Sequence, residues 1–321
     1  MSTARMEADP LRPLPLETAI RRIGQVVRGK DEVVRLALVG FLARGHLLFE
    51  DVPGVGKTTL ARALARVIGG TFHRIQLTAD LLPADIIGGQ VLDRASGTIT
   101  FRQGPIFANV VLADELNRAT PRTQSGLLEA MSERSISVDG ITHRLPDPFL
   151  VIATQNPVEH HGVYHLPQSQ MDRFLLRTEL GYPNDDVERA LLMGQSGQND
   201  LAPEDLEPAF QAETIRALFE AVDGVSLSEP VADYLQRIVR ATRDAGELES
   251  GVSTRGALAY AKAVRAWALV SGRRFVTPDD VQALAVPVCA HRVVLRGHER
   301  ASRAEAEGVV RSLIAKVRVP V

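Results

Sequence analysis

Cysteine is nearly missing from this chain: Cys289 is the only one in 321 residues. That excludes an intrachain disulfide and a cysteine-built metal cluster, and it fits a reducing compartment. Long apolar runs are missing too. No stretch reaches the ~18 uninterrupted apolar residues of a membrane-crossing helix. The first fifteen residues carry Arg, Glu, Asp and three prolines but lack the apolar core of about 7 to 15 residues that marks a secretory signal. Residues 1–15 therefore read as a flexible lead-in to a soluble, cytoplasmic protein without membrane insertion. The chain has no charge excess either: a formal net charge of −2 gives no overall reason to expect nucleic acid or an anionic membrane as partner. Lysine is scarce. Lys30, Lys57, Lys262 and Lys316 are the only lysines among 37 basic residues, so each lysine stands out against a background of arginine.

What is present is an ordinary globular balance, 45% hydrophobic and 24% charged residues. The length suits one larger domain plus a smaller one. Up to about residue 183, short apolar runs alternate with helical patterns, as in a parallel sheet with crossover helices. The expected strands are His46 to Glu50, Phe72 to Leu77, Asn109 to Ala113, Phe149 to Thr154 and Phe174 to Leu180. Runs such as VVLA and FLVIA are apolar on both faces, so helices should cover the sheet on each side. Two stretches of period-two alternation interrupt the rhythm. Gln90 to Phe101, around a Ser-Gly turn, and Ser135 to Leu145, around Asp-Gly, predict hairpin insertions at about 85–104 and 134–146. Residues 184–200 read as a connection. Within that connection Val187 to Met193 has helical spacing, and the remainder, 201–321, is helical, with expected helices at Thr214 to Val222, Val231 to Ala241, Thr254 to Val270 and Pro278 to Ala285. Tyr234, Leu235, Ile238 and Val239 fall on one buried face. Trp267 reads as core of this second domain, and Cys289 as a buried, inert thiol.

The chemistry concentrates in a strand, loop and helix. His46-Leu47-Leu48-Phe49-Glu50 runs into Asp51-Val52-Pro53-Gly54-Val55-Gly56-Lys57-Thr58, with Thr59 next, and then into a helix whose Leu60, Leu64, Val67 and Ile68 share a face. Such a loop presents backbone N–H groups and a helix N-terminus to phosphates; Lys57 reaches the β and γ oxygens, and the Thr58 hydroxyl ligates Mg²⁺. Glycines 54 and 56 let the backbone approach closely. The pattern G-x-x-x-x-G-K-[ST] asks for Gly where this chain has Asp51, a departure at the strand exit. Lys57 escapes the arginine bias, and a compact ammonium suits a cramped phosphate site.

Some 55 residues past Lys57, the strand Asn109 to Ala113 ends in Asp114-Glu115. Asp114 can hold Mg²⁺ through its water shell, and Glu115 can orient and deprotonate the attacking water; an acidic pair there is otherwise a helix cap. The strand Phe149 to Thr154 ends in Gln155-Asn156-Pro157, where Asn156 either contacts the γ-phosphate and water or builds a turn.

Together EDVPGVGKTTLA, VVLADELNRATPRTQSGLLEAM, FLVIATQNP, LPQSQMDRFLL and GVSTRGAL resemble the MoxR family of AAA+ ATPases, over nearly the whole chain beyond residue 20. In that family Asp at the first loop glycine is familiar. The resemblance implies a five-stranded AAA+ core with a helical lid, hydrolysing ATP with Mg²⁺ in a homo-oligomeric ring, usually of six. It matches Asp114 and Glu115 to the Walker B pair, Asn156 to sensor 1, Arg173 to the arginine finger that enters a neighbour's site, and Arg255 to sensor 2. The segment around Val27 and Gly29 matches the adenine-contacting stretch. The hairpins match the helix-2 insert and pre-sensor-1 hairpin, which face the ring centre or substrate. The implied role is chaperone-like remodelling of a protein substrate, with a von Willebrand factor A domain protein as partner. The ATPase subunit of a magnesium-chelatase-like complex and a nucleic-acid motor of the related helicase clade are the alternatives; few lysines and near-neutral charge disfavour the latter. A histidine group, His160, His161 and His165, reads as a solvated loop rather than a metal site.

Overall fold

The computed structural model describes residues 15–92, 97–157, 162–193, 201–297 and 302–320. Helices α1 (Leu16–Val26) and α2 (Asp31–Leu42) lead into β1 (Leu47–Glu50), followed by α3 (Lys57–Val67), β2 (Phe72–Gln76) and α4 (Pro83–Ile87). A hairpin, β3 (Gly88–Leu92) with β4 (Ile99–Gln103), precedes β5 (Val110–Asp114) and α5 (Pro121–Glu133). A second hairpin, β6 (Ser135–Val138) with β7 (Ile141–Arg144), leads to β8 (Leu150–Gln155), the short helix α6 (Gln168–Met171) and β9 (Leu176–Thr178). Helices α7 (Asp185–Leu192), α8 (Ala212–Asp223), α9 (Glu229–Asp244), α10 (Thr254–Val270), α11 (Pro278–Cys289) and α12 (Arg303–Lys316) make up the rest, with one small ladder between β10 (Leu248–Ser250) and β11 (Val294–Leu295). Among the described residues no helix is long and apolar enough to cross a membrane.

The main sheet is parallel throughout, in the order β2-β5-β8-β1-β9. Strand alternation divides its apolar residues between two cores. Leu47, Phe49, Val110, Leu112, Leu150 and Ile152 pack with the first three helices and the C-terminal helices. Leu48, Val111, Ala113, Val151 and Ala153 pack on the other face with α5. Burial on both faces is what the unbroken apolar strands required, at roughly 1.5–3 kcal/mol per fully buried large side chain.

Local chemistry fixes several helix starts. Thr120 caps α5 ahead of Pro121, Ser253 caps α10, and Thr277 with Asp280 and Ser302 with Glu305 form capping boxes on α11 and α12. The Asp-Gly turn is as expected: Asp139 and Gly140 have φ of 50° and 80°, suiting a tight hairpin. The two hairpins are joined, because the Phe101 and His143 rings stack with centroids 3.9 Å apart.

The last sheet strand is shorter than the expected Phe174 to Leu180, and the reason is competition for its backbone. The carbonyls of Phe174 and Leu175 accept from Arg292, and the Phe174 carbonyl also bonds the His291 ring. The Leu180 N–H goes to the Asp51 carboxylate. Leu176–Thr178 form the ladder with β1, extended by the Leu175 N–H to the His46 carbonyl at 2.8 Å. Helix α7 covers most of the helical stretch expected at Val187 to Met193 and begins two residues earlier; 194–200, the lead-in at 1–14, and His160 and His161 lie outside the described residues. Cys289 is fully buried as anticipated, and burial pushes its thiol up to about 12.

His46 ties the sheet to α5. Its Nδ1 accepts from the Val151 N–H at 2.9 Å, so Nε2 carries the proton and donates to the Met131 carbonyl at 3.0 Å. Burial holds its pKa at about 4, against an ordinary 6.5. The neutral ring is therefore favoured by folding, and its contribution is full above pH 6.5 and lost as pH falls toward 4. Between pH 7.5 and 5 this one group should remove about 2 kcal/mol of stability. A His46→Gln variant, compared with the parent by urea unfolding at both pH values, should be less stable at pH 7.5 but lose less on acidification. Equal pH slopes would remove His46 from the effect.

Candidate nucleotide site

Where β1 ends, the chain turns through Gly54 and Gly56, whose φ angles of 86° and 100° side-chain-bearing residues rarely adopt, and then enters α3 at Lys57. The loop and the ends of β5 and β8 enclose a cavity of about 360 Å³ lined by Asp51, Pro53, Gly54, Gly56, Lys57, Thr58, Arg74, Asp114, Glu115, Thr154, Gln155 and Asn156. Residues from four separate stretches of sequence thus meet at the C-terminal side of the parallel sheet, where α/β sheets place ligands. Lys57 Nζ donates to the backbone carbonyls of Asp51 (3.1 Å) and Val52 (2.8 Å). Burial lowers its pKa, while Asp51, Asp114 and Glu115 act in the opposite direction.

A second cavity of about 290 Å³ lies on the other side of the glycines, lined by Val26, Val27, Val55, Thr59, Pro183 and Val187 among others. It is the more apolar of the two and suits a base, while the first suits phosphates. Val27, which the resemblance matches to the adenine-contacting stretch, lines it, together with Val55 and Thr59 from the phosphate loop and helix start. Gly29 does not line it but faces a neighbouring cavity with Lys30 and Asp31. Val52 lines neither cavity and contributes its carbonyl to Lys57.

Asp51 explains its own departure from the glycine pattern. One carboxylate oxygen accepts from the Val52 N–H (2.8 Å), and the other from the N–H groups of Leu180 and Gly181 (both 2.7 Å). The side chain, only 7% exposed, therefore ties the start of the loop to the chain leaving β9. Glycine cannot make that connection, and three charge-assisted bonds to backbone N–H groups are the strong kind.

The acidic pair is held from several directions. Asp114 Oδ1 accepts from the Thr154 hydroxyl at 2.6 Å, and Oδ2 accepts from Arg74 Nη2 at 2.6 Å and Nε at 3.1 Å. Glu115 has φ 57° and ψ 51°, a left-handed conformation uncommon for a residue with a side chain, and its N–H donates to Thr154. Its Oε2 accepts from Gln76 Nε2 (2.8 Å) and Arg118 Nη1 (3.0 Å). Asn156 is 9% exposed at the cavity wall. Arg74, Gln76, Arg118 and Thr154 were not anticipated. Arg74 and Gln76 share one face of β2, but two polar residues on an edge strand carry no distinguishing signal.

Arg173 and Arg255 line neither cavity. Arg173 donates to the Leu128 carbonyl (2.8 Å) and the Ser132 hydroxyl at the end of α5. Arg255 is exposed in the first turn of α10. The two positions are neighbours through Ser253, whose hydroxyl donates to Asp172 at 3.0 Å. Arg292, 4% exposed, clamps the same turn by its bond to Asp172 (2.7 Å) and to the Phe174 and Leu175 carbonyls. The Ser253–Asp172 bond thus joins the start of α10 to the turn that carries Arg173.

A parallel sheet of this order, a phosphate loop, an acidic strand end and a helical C-terminal part define a P-loop ATPase of the AAA+ class. The description "ATPase family associated with various cellular activities (AAA)" matches residues 46–176, and "AAA lid domain" matches 240–313. The chain belongs to the MoxR family of AAA+ ATPases. It is 44% identical to the uncharacterized protein YeaC of Bacillus subtilis, across 98% of this chain and 97% of that one. It is 40% identical to the chaperone MoxR1 of Mycobacterium tuberculosis, across 95% and 82% respectively. A crystal structure of an ATPase candidate from Cytophaga hutchinsonii superposes with a TM-score of 0.84 at 33% identity, across 96% of this chain and 95% of that one.

Proposed function

We propose that this chain hydrolyses ATP to ADP and phosphate within a homo-oligomeric ring of six subunits, and that it uses the cycle to remodel protein complexes. The observation that carries the reading is the meeting of Lys57, Thr58, Asp114, Glu115 and Asn156 around one phosphate-sized cavity. Loop N–H groups and Lys57 bind the phosphates, and Asn156 orients the terminal one. Glu115 takes a proton from the attacking water as the bond to the terminal phosphorus forms and the bridging oxygen leaves with ADP. The Thr58 hydroxyl and the Asp114 carboxylate offer only hard oxygen donors, which fit Mg²⁺. Bound there, the ion would neutralise phosphate charge.

Arg173 and Arg255, neither of which lines the chain's own cavities, suit delivery to a neighbouring subunit's site. The relative named as a chaperone supports a protein substrate. We extend this to a cytoplasmic setting and a von Willebrand factor A domain protein as partner.

The test is phosphate release with and without Mg²⁺, beside fluorescent-nucleotide titration. The parent should hydrolyse ATP only with the metal, and Lys57→Ala should lose binding and turnover together. Undiminished turnover in Lys57→Ala, or none in the parent under any metal, sinks the proposal.

A further inference from the structure

Arg74 is a cation inside the phosphate cavity that none of the expected roles uses. It sits on β2, the edge strand beside β5, in register with Leu112, two residues before the acidic pair. Its guanidinium grips Asp114 Oδ2 with two N–H groups, Nη2 at 2.6 Å and Nε at 3.1 Å. The other oxygen, Oδ1, accepts from Thr154 at 2.6 Å. Both oxygens of the proposed metal carboxylate therefore already have donors. A hydrated divalent ion beside Asp114 needs lone pairs on that carboxylate and meets the guanidinium charge at close range. Two cations on one carboxylate oxygen repel, more strongly in a walled cavity than in open water.

The two competitors differ in how easily they move. Thr154 is 1% exposed within β8, and its hydroxyl also accepts the Glu115 N–H, so it stays. The Arg74 side chain is 47% exposed, on a long stem at a sheet edge, and can swing clear. The same guanidinium donates to Gln76 Oε1 at 2.9 Å, and Gln76 Nε2 donates to Glu115 Oε2 at 2.8 Å. One arginine thus contacts Asp114 directly and Glu115 through a single amide.

We propose that Arg74 is a placeholder cation on Asp114, displaced when the divalent ion is loaded, so that it sets the metal affinity of the site. It is a positioning residue: it keeps the carboxylate compensated and aimed until the ion arrives. Its departure removes one of Gln76's anchors, so metal loading at Asp114 loosens the hold on Glu115. The inference rests on the nucleotide-site reading above and concerns only what Arg74 does within it.

The experiment is Mn²⁺ titration, followed by electron paramagnetic resonance, of full-length protein saturated with ADP. The parent is compared with Arg74→Met, which keeps the stem and removes the charge, and with Arg118→Met. Arg118 serves as control because its side chain, 48% exposed, is as accessible as Arg74 but pairs with Glu115. Thermal unfolding and ADP affinity without metal establish that each variant is folded. Arg74→Met should bind Mn²⁺ about tenfold more tightly than the parent, with a much smaller change in Arg118→Met. Metal-free ADP affinity should not rise in Arg74→Met, since removing a cation from the phosphate cavity gives ADP no new attraction. A merely structural arginine predicts weaker metal binding on its removal. Unchanged or weaker Mn²⁺ affinity in Arg74→Met, or equal tightening in Arg118→Met, overturns the placeholder role while leaving the nucleotide site standing. A parent that binds no ADP overturns both.

Discussion

Glu115→Gln should bind ATP as the parent does and hydrolyse it roughly 10²- to 10⁴-fold more slowly, the usual range for losing a positioned general base. Two structural features set this expectation. The left-handed turn at Glu115 carries the side chain to the cavity wall, and Gln76 and Arg118 hold its Oε2 there. A glutamine fills the same space and keeps the turn but cannot accept a proton. Phosphate binding depends on the loop and Lys57, from which Glu115 is separate in chain and strand, so affinity should hold. Single-turnover phosphate release with stopped-flow nucleotide binding separates the two effects. Loss of binding in step with turnover would make Glu115 part of the phosphate cradle, and equal turnover would remove it from the chemistry. The stalled form is also suited to trapping a protein substrate or partner with ATP.

What could be read beforehand follows from which signals are local. The phosphate loop, the strand ends at Asp114 and Asn156, and the Asp-Gly hairpin each occupy a few consecutive residues whose chemistry stands out against their surroundings. Helix α10 was legible for the same reason, with a capping serine and a helical apolar period. Helix α2 was not, because beyond its charged first turn it is buried all round from Leu36 to Leu42, touching α1, α3, α8, α10 and β9, and a continuous apolar run shows no face. Asp51 is the instructive case. Its sequence neighbours raise a question about the loop, and the answer lies about 130 residues away in the N–H groups of Leu180 and Gly181. The Arg74–Gln76–Glu115 chain is legible only once β2 is registered against β5, which pairs Gln76 with Asp114. Pairwise geometry between distant strands leaves no trace in either segment alone.

Arg173→Ala should lower turnover about 10³-fold or more if the guanidinium acts on a neighbouring subunit's phosphates, the range measured where such arginines are supplied in trans. The loss alone is ambiguous, because Arg173 also ties the end of α5 through Leu128 and Ser132. Mixing resolves it. An Arg173→Ala subunit keeps its own Lys57 and Glu115, and a Glu115→Gln subunit keeps its finger, so two inactive proteins can form an active junction between them. In a random 1:1 mixture about one junction in four pairs an intact Glu115 with an intact Arg173, so activity should return to about a quarter of the parent. A Ser132→Ala variant, which removes one anchor but keeps the guanidinium, should stay near the parent. Arg173 Nε is buried without an acceptor among the described residues, so reaching a neighbour's phosphate requires the side chain to leave its bonds to α5. Two inactive variants that exchange subunits freely yet recover nothing would confine Arg173 to bracing α5 and leave Arg255 as the arginine to test across the junction.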